Sequence, residues 1–251
     1  MNKAIAGIVV ILLLAGGAFL LFRKSPSRTP TPTSVNQEDK SATSKESFSN
    51  PKKSAHYESN TPEHGAILAG VPINVVIDFN FDLAKESQIQ ILMDGKDFGV
   101  GETTIDDNGL AMRRKVDDSA PDGIYTVTYK ACWADGSCHD GQFQFKIDRK
   151  TASDFINMTG RGEVTINLKN FAFSPNKVKV SKGTKVTWVN QDNLEHTVNT
   201  DSHPAHTYYL SQNSRTLENG DTYLLTFNEA AIYPYHCTPH AATMKGQILV
   251  E

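Results

Sequence analysis

Apolar and polar residues alternate along most of the chain after residue 55, which is the pattern of half-buried β-strands. No segment there repeats apolar residues at helical spacing over three turns. Turn dipeptides such as Asp94-Gly95 and Asp135-Gly136 separate the alternating runs. The strands predicted before residue 149 are Val75–Phe79, Ile89–Leu92, Ile124–Tyr129 and Phe143–Ile147. We therefore predict a small Ig-like β-sandwich over residues 55–148.

A second set of alternating runs follows a polar bridge, which we assign to a linker over residues 149–161. The strands predicted here are Val164–Leu168, Val178–Val180, Val186–Val189, Tyr223–Phe227 and Gln247–Val250. Their spacing is typical of an all-β sandwich or barrel. Because no repeat relates the two sets, we predict an all-β protein with two unrelated domains, the second covering residues 162–251.

The N-terminus departs from this pattern, because Ala4 to Phe22 contains no charged side chain. As a helix this run would extend about 28 Å, close to the hydrocarbon thickness of about 30 Å of a bilayer. We therefore predict a single-pass transmembrane anchor at residues 1–23. The small residues Ala15–Ala18 leave a cleaved secretory signal as the alternative, which would make the protein secreted or periplasmic.

Residues 24–54 are rich in Ser, Thr, Pro and Lys, a composition typical of a flexible linker. The cations Arg23, Lys24 and Arg28 would by the positive-inside rule leave the domains in the cytoplasm. We nevertheless expect the domains on the extracytoplasmic side of the cell membrane, because the cysteine pattern described below suits an oxidising space. The net charge of −3 provides no basic field for nucleic acid, which we exclude as a partner.

Four potential metal ligands lie in the last quarter of the chain. Cys237, His240 and Met244 fall within one short loop, and His196 precedes them by about forty residues. A thiolate, two imidazoles and a thioether are the ligand set of copper sites that transfer electrons. Alternation along the strand directs His236 away from this site, while His203 and His206 lie in a polar loop and are expected at the surface, with a second metal contact as the lesser alternative.

Residues 160–251 resemble the plastocyanin and amicyanin-like cupredoxins. The matching segments are Phe171–Pro175, Val186–Asn190, Glu195–Val198, Tyr235–His240 and Met244–Gly246. The resemblance implies a Greek-key β-sandwich, one type 1 copper held by His196, Cys237, His240 and Met244, and redox partner proteins that dock near His240. Three residues separate His240 from Met244, whereas amicyanin-like loops have two and plastocyanin four. Because the length of this loop affects the contact of the axial ligand with copper, the resemblance does not predict the redox potential.

Residues 55–148 resemble the CopC-like copper-resistance domains through several looser motifs. These are Ser59–Ala66, Val75–Phe79, Gly123–Val127 and Gly141–Phe145. The copper(II) site of that family uses an N-terminal histidine and an Asp-x-His pair. Asp135 matches the aspartate, but Ser137 stands in place of the paired histidine. A displaced second metal site formed by His56, Asp135 and His139 is therefore only a secondary hypothesis.

The three cysteines divide into a pair and a single residue. Cys132 and Cys138 flank the Asp135-Gly136 turn, and a disulfide between them suits an exported domain. A copper site of reduced thiols is the alternative use of this pair. Cys237 remains as the copper ligand.

The sequence thus predicts a membrane-tethered, extracytoplasmic blue copper protein that carries single electrons. The alternative is a copper-binding or copper-delivery protein in homeostasis or resistance. We expect no enzyme activity, because multicopper oxidases and copper nitrite reductases need additional histidine-rich ligand sets that the sequence does not reveal.

Overall fold

The computed structural model describes residues 47–251, which form an all-β structure. The all-β prediction is confirmed for these residues. The predicted anchor at 1–23 and most of the linker predicted at 24–54 lie outside the described residues. Over 47–251, no helix has the length and apolar character needed to cross a membrane.

The first nine strands form two facing sheets around the first core. They are β1 (Tyr57–Thr61), β2 (Ile67–Leu68), β3 (Asn74–Phe79), β4 (Gln88–Met93), β5 (Lys96–Asp97), β6 (Gly99–Ile105), β7 (Ala111–Val116), β8 (Gly123–Cys132) and β9 (Cys138–Ile147). One sheet has the order β1-β3-β7-β6 and the other has the order β2-β9-β8-β4-β5. This is the sandwich predicted for residues 55–148.

The predicted turns connect the strands of this first sandwich. Asp94 and Gly95 both have positive φ, and they join β4 to β5 through the pair Met93 and Lys96. Two central residues with positive φ define the turn type whose twist matches that of antiparallel strands. The long β8–β9 hairpin ends at the pair Cys132 and Cys138, and the structure contains the predicted disulfide between them.

The second sandwich contains the remaining nine strands of the described chain. They are β10 (Ile156–Asn157), β11 (Glu163–Lys169), β12 (Ala172–Ser174), β13 (Lys177–Val180), β14 (Thr184–Asn190), β15 (Asn199–Thr200), β16 (Thr222–Phe227), β17 (Ala231–His236) and β18 (Lys245–Val250). The sheets have the orders β10-β13-β18-β17-β15 and β12-β11-β14-β16. The pairs β11–β14 and β13–β18 are parallel. Their inward residues surround the buried Trp188 and Tyr235.

The segment predicted as a linker over 149–161 is ordered. A 3₁₀ helix spans Arg149–Asp154, and the carboxylate of Asp148 accepts a hydrogen bond from the N–H of Lys150 at its start. Phe155 is buried in the first core, and β10 pairs with β13. The polar composition of this segment suggested a linker, but burial of its one aromatic residue, Phe155, holds the segment against the first core.

The two sandwiches share their cores. Ile232 of β17 and Leu249 of β18 pack in the core of the first sandwich. Ile73, Val76 and Ala111 of the first sandwich pack in the core of the second. The interface between the sandwiches therefore includes an apolar part formed by these five side chains.

Candidate metal centre

Three predicted ligands converge in the second sandwich. The Nδ1 atoms of His196 and His240 each lie 3.5 Å from the Sγ atom of Cys237. All three donor atoms lie within 4.8 Å of one another. Since first-row metals bond nitrogen and sulfur at roughly 2.0–2.3 Å, donors at this spacing can share one ion. His196 and Cys237 are fully buried, and His240 is half-buried.

The ligand loop places Met244 beside this group. The N–H of Cys237 donates to the carbonyl oxygen of Met244 at 3.0 Å, and the N–H of Met244 donates to that of His240 at 2.9 Å. The Met244 side chain is fully buried in the same core as Cys237. Gly246 of β18 pairs with Tyr235 of β17. A Cβ added to Gly246 would lie 2.3 Å from the tyrosine ring. Only glycine fits there without displacing that ring.

Asp192 orients His196, a role that no motif in the sequence indicates. The Nε2–H of His196 donates to Asp192 at 2.9 Å, which leaves the lone pair of Nδ1 directed toward Cys237. A carboxylate behind a ligating imidazole fixes its tautomer and ring orientation. Burial opposes the charge of Asp192, but N–H donors from Phe171 and Asn170, together with His196, lower the pKa of this carboxyl group overall.

The same carboxylate holds the turn between β11 and β12. Asn170 and Phe171 both have positive φ, and their N–H groups donate to Asp192 at 2.7 and 3.0 Å. This turn projects the Phe171 ring against both histidines, with ring centroids 5.0 Å from His240 and 5.9 Å from His196. One aspartate thus couples a ligand to the aromatic residue that covers the site.

The environment of Cys237 suits a metal-bound thiolate. Burial raises the pKa of the free thiol, while the N–H of Thr197, 3.4 Å from Sγ, acts in the opposite direction. A metal that binds here must displace the thiol proton, after which this N–H stabilises the sulfur charge. The buried sulfur, the two imidazole nitrogens and the neighbouring thioether residue fit copper better than an ion that prefers oxygen ligands.

The first sandwich does not assemble the displaced second site. His56 and His139 each contact the ring of Trp133, with ring centroids 5.2 and 5.3 Å from the indole. Asp135 accepts hydrogen bonds from the backbone and hydroxyl of Ser137, which lower its pKa. Among residues 47–251, neither three-donor group that could hold a metal includes these side chains.

The second group of three donors consists of His203, His206 and His236. The sequence predicts His203 and His206 at the surface and His236 directed away from the copper site. His203, His206 and His236 bring their ring nitrogens within 4.8 Å of one another. His236 does face away from Cys237, as alternation predicted, but it is buried. Its partners come from a loop that has no strand periodicity, so no sequence pattern linked the three residues.

The fold and the buried sulfur–imidazole site define a copper-binding protein of the cupredoxin class. The model for copper-binding proteins of the plastocyanin/azurin family matches residues 160–251, and the CopC domain model matches residues 57–148. The chain therefore belongs to the plastocyanin/azurin family through its C-terminal domain and carries a CopC domain before it. Both resemblances predicted from the sequence are confirmed.

Individual relatives match the C-terminal domain. Amicyanin-alpha of Methylorubrum extorquens is 32% identical over 90 residues, which is 36% of this chain and 73% of that protein. Plastocyanin A/B of Petroselinum crispum is 35% identical over 84 residues, covering 32% of this chain and 87% of the relative. Halocyanin of Natronomonas pharaonis is 35% identical over 104 residues, which is 39% of this chain and 62% of that protein. A solved structure of a Cu(I) amicyanin mutant matches with a TM-score of 0.32 and 28% identity, covering 36% of this chain and 83% of that one.

Proposed function

We propose that this protein is a blue (type 1) copper protein that carries single electrons between redox partners. Its ligands are His196, Cys237, His240 and Met244. The observation that carries the proposal is the buried arrangement in which two Nδ1 atoms face one Sγ atom at 3.5 Å. Copper supplies the one-electron couple, and the protein holds the donor atoms in place and excludes water.

The first experiment is visible absorption and EPR spectroscopy of the copper-loaded protein. We expect an intense thiolate-to-copper band that is lost in Cys237→Ser. The matched control is His139→Ala, which removes an exposed histidine of the first sandwich and should leave the band unchanged. A wild-type protein that binds copper without this band would contradict the proposal.

The face around His240 is our proposed site of electron exchange. Phe171, which covers the His240 ring, is 46% exposed, and Pro239 and Ala242 are exposed beside it. This apolar rim around a half-buried ligand suits close approach of a partner protein. Charge introduced here should repel or misalign that partner.

Electron self-exchange between Cu(I) and Cu(II) forms of the protein tests this face without an identified partner. We expect Ala241→Glu to slow self-exchange at least tenfold, as measured by NMR line broadening, with the visible band unchanged. Lys130→Glu, a charge change at an exposed position of β8, is the control and should have little effect. Equal rates in Ala241→Glu and wild type would rule out the His240 face.

We further propose that the domains lie outside the cytoplasm, tethered to the cell membrane by residues 1–23. The apolar run Ala4–Phe22 and the Cys132–Cys138 disulfide support this location. Cell fractionation tests it. An anchored chain stays with membranes through a high-salt wash and is released by detergent, whereas a shortened chain in the soluble extracytoplasmic fraction would indicate a cleaved signal.

Copper delivery is the second candidate function, and the CopC domain at residues 57–148 favours it. A carrier of electrons should cycle reversibly between oxidation states while it retains copper against a moderate chelator. A delivery protein should release copper to the chelator within the same period. Chelator competition combined with cyclic voltammetry distinguishes the two functions.

A further inference from the structure

His203, His206 and His236 meet at the edge of the second sandwich that faces the first. Their ring centroids are separated by 5.1 to 5.7 Å, and the Nε2 atoms of His206 and His236 are 3.2 Å apart. His236 is fully buried, His206 is half-buried and His203 is exposed. The exposure of the three imidazoles therefore increases from His236 in the core, through His206, to His203 at the surface.

A carboxylate sets the tautomer of one imidazole in this trio. The Nδ1–H of His236 donates to Asp201 at 2.8 Å, so its Nε2 is an acceptor directed toward His206. This is the same carboxylate-behind-imidazole arrangement that Asp192 provides for His196. Burial, and then the charges of His236 and His203, lower the pKa of His206 to about 4, with Asp201 acting in the opposite direction.

The first sandwich fixes the loop that carries two of these histidines. The buried carboxylate of Asp78 accepts hydrogen bonds from the hydroxyls of Ser202 and Thr207, which flank the loop segment. Ser59 also donates to Asp78, at 2.7 Å. Both ends of the 203–206 segment are therefore held by Asp78 of the first sandwich.

A cavity gives this trio access to a further ligand. Its volume is about 380 Å³, and it is lined by His203 and His236 on one side and by residues of the first sandwich on the other, including Tyr57, Glu63 and His64. Sites with three protein ligands and one open position are typical of metals that take up water or a substrate. The cavity beside His203 and His236 leaves room for such a further ligand.

We propose that His203, His206 and His236 form a second metal site, for a divalent first-row transition ion, in the cleft between the two sandwiches. Three imidazoles suit such ions, and among them Cu²⁺ binds most tightly to a given set of nitrogen ligands. His236 and Cys237 are consecutive residues of the chain. The second ion would therefore be joined to the ion held by Cys237 through a single peptide link.

Copper stoichiometry and EPR of the full-length chain, purified in mild detergent, test this site. After saturation with Cu²⁺ and removal of loosely bound metal, we expect two copper ions per chain and two EPR signals. One signal should show the small hyperfine splitting of thiolate-bound copper, and the other should show ordinary splitting. Cys237→Ser should lose the first signal and keep the second.

Variants of the trio complete the test. His203→Ala should weaken the second copper at least tenfold while the visible band stays, and the fold should persist because His203 is exposed. His206→Ala should have the same effect. His139→Ala, which removes an exposed histidine of the first sandwich that does not line the cavity, should bind two copper ions like wild type. One copper per wild-type chain, or a second copper that is undiminished in both trio variants, would overturn the proposal and leave a hydrogen-bonded histidine cluster.

Discussion

Single side chains decide the chemistry of the candidate copper site, and Asp192 has the largest number of roles. It accepts the Nε2–H of His196 and both N–H groups of the Asn170-Phe171 turn. The carboxylate therefore fixes the ligand tautomer and the position of the aromatic cover together. No other described residue contacts both features through hydrogen bonds of its side chain.

Asp192→Ala should lower copper affinity by roughly 10–100-fold, the usual effect of losing the residue that orients a ligating histidine. Competition with a chelator of known affinity measures this loss. Glu195→Ala removes an exposed carboxylate from the same loop and serves as the control. Unchanged affinity in Asp192→Ala would show that the backbone alone positions His196.

The ligands themselves were accessible to sequence reasoning, because their residue types and order are specific to one class of metal site. Asp192 was not, since an aspartate in a polar loop carries no signal until the fold brings it to a histidine. The cluster of His203, His206 and His236 was not predicted either, for a similar reason. Two members come from an irregular loop, and only the packing of that loop on β17 creates the cluster.

At the scale of secondary-structure elements, the β8–β9 hairpin is closed by its disulfide. Cys132 and Cys138 are directly paired residues of the two strands, and the remaining cysteine is buried in the copper site. The short separation of 6 residues corresponds to about 2 kcal/mol in the chain-entropy model of disulfide stabilisation.

Replacing both Cys132 and Cys138 with Ala should therefore lower the free energy of unfolding by about 2 kcal/mol. Urea denaturation of the copper-free protein measures the difference. Wild type treated with reductant should match the variant, and the variant itself should not respond to reductant. If wild type with and without reductant unfolded at the same urea concentration, the bond would contribute nothing to stability.

Strands rich in apolar residues were predicted close to their observed bounds, as β3, β4 and β16 illustrate. Strands β6 and β7 were missed because their composition is polar. Arg113 and Arg114 of β7 lie between the buried Met112 and Val116, and the Arg114 guanidinium lies along the sheet, where it donates to the carbonyl oxygens of Ile89 and Gly101. Such an arginine stabilises a strand through partners distant in sequence, and periodicity cannot reveal them.

At the scale of the whole molecule, Tyr208 links the backbones of the two sandwiches. The N–H of Ile73 donates to the Tyr208 hydroxyl at 2.9 Å, and this hydroxyl donates to the carbonyl oxygen of Ile232 at 2.7 Å. Burial raises the pKa of Tyr208 well above its ordinary value, so the phenol stays protonated. No pattern in the sequence indicates this contact, because it depends on how the two domains pack.

Tyr208→Phe should destabilise the protein by roughly 1–3 kcal/mol, because it leaves a buried N–H and a buried carbonyl group without partners. Thermal or urea unfolding monitored in both sandwiches measures the loss. Tyr223→Phe, whose hydroxyl donates to the carbonyl oxygen of Ser211 at the surface, should have a smaller effect because water can replace that bond. Equal effects of the two substitutions would contradict a special role for Tyr208.

The packing of Ile232 and Leu249 in the first core has a consequence for electron transfer. Strand β17 leads directly into Cys237, so the strand that carries the sulfur ligand is packed on both faces. A ligand set supported in this way would move little when the charge of a bound metal changes, and the reorganisation energy of the proposed electron carrier would then be small. We therefore expect substitutions that loosen the first sandwich to slow electron transfer even when copper and its colour are retained.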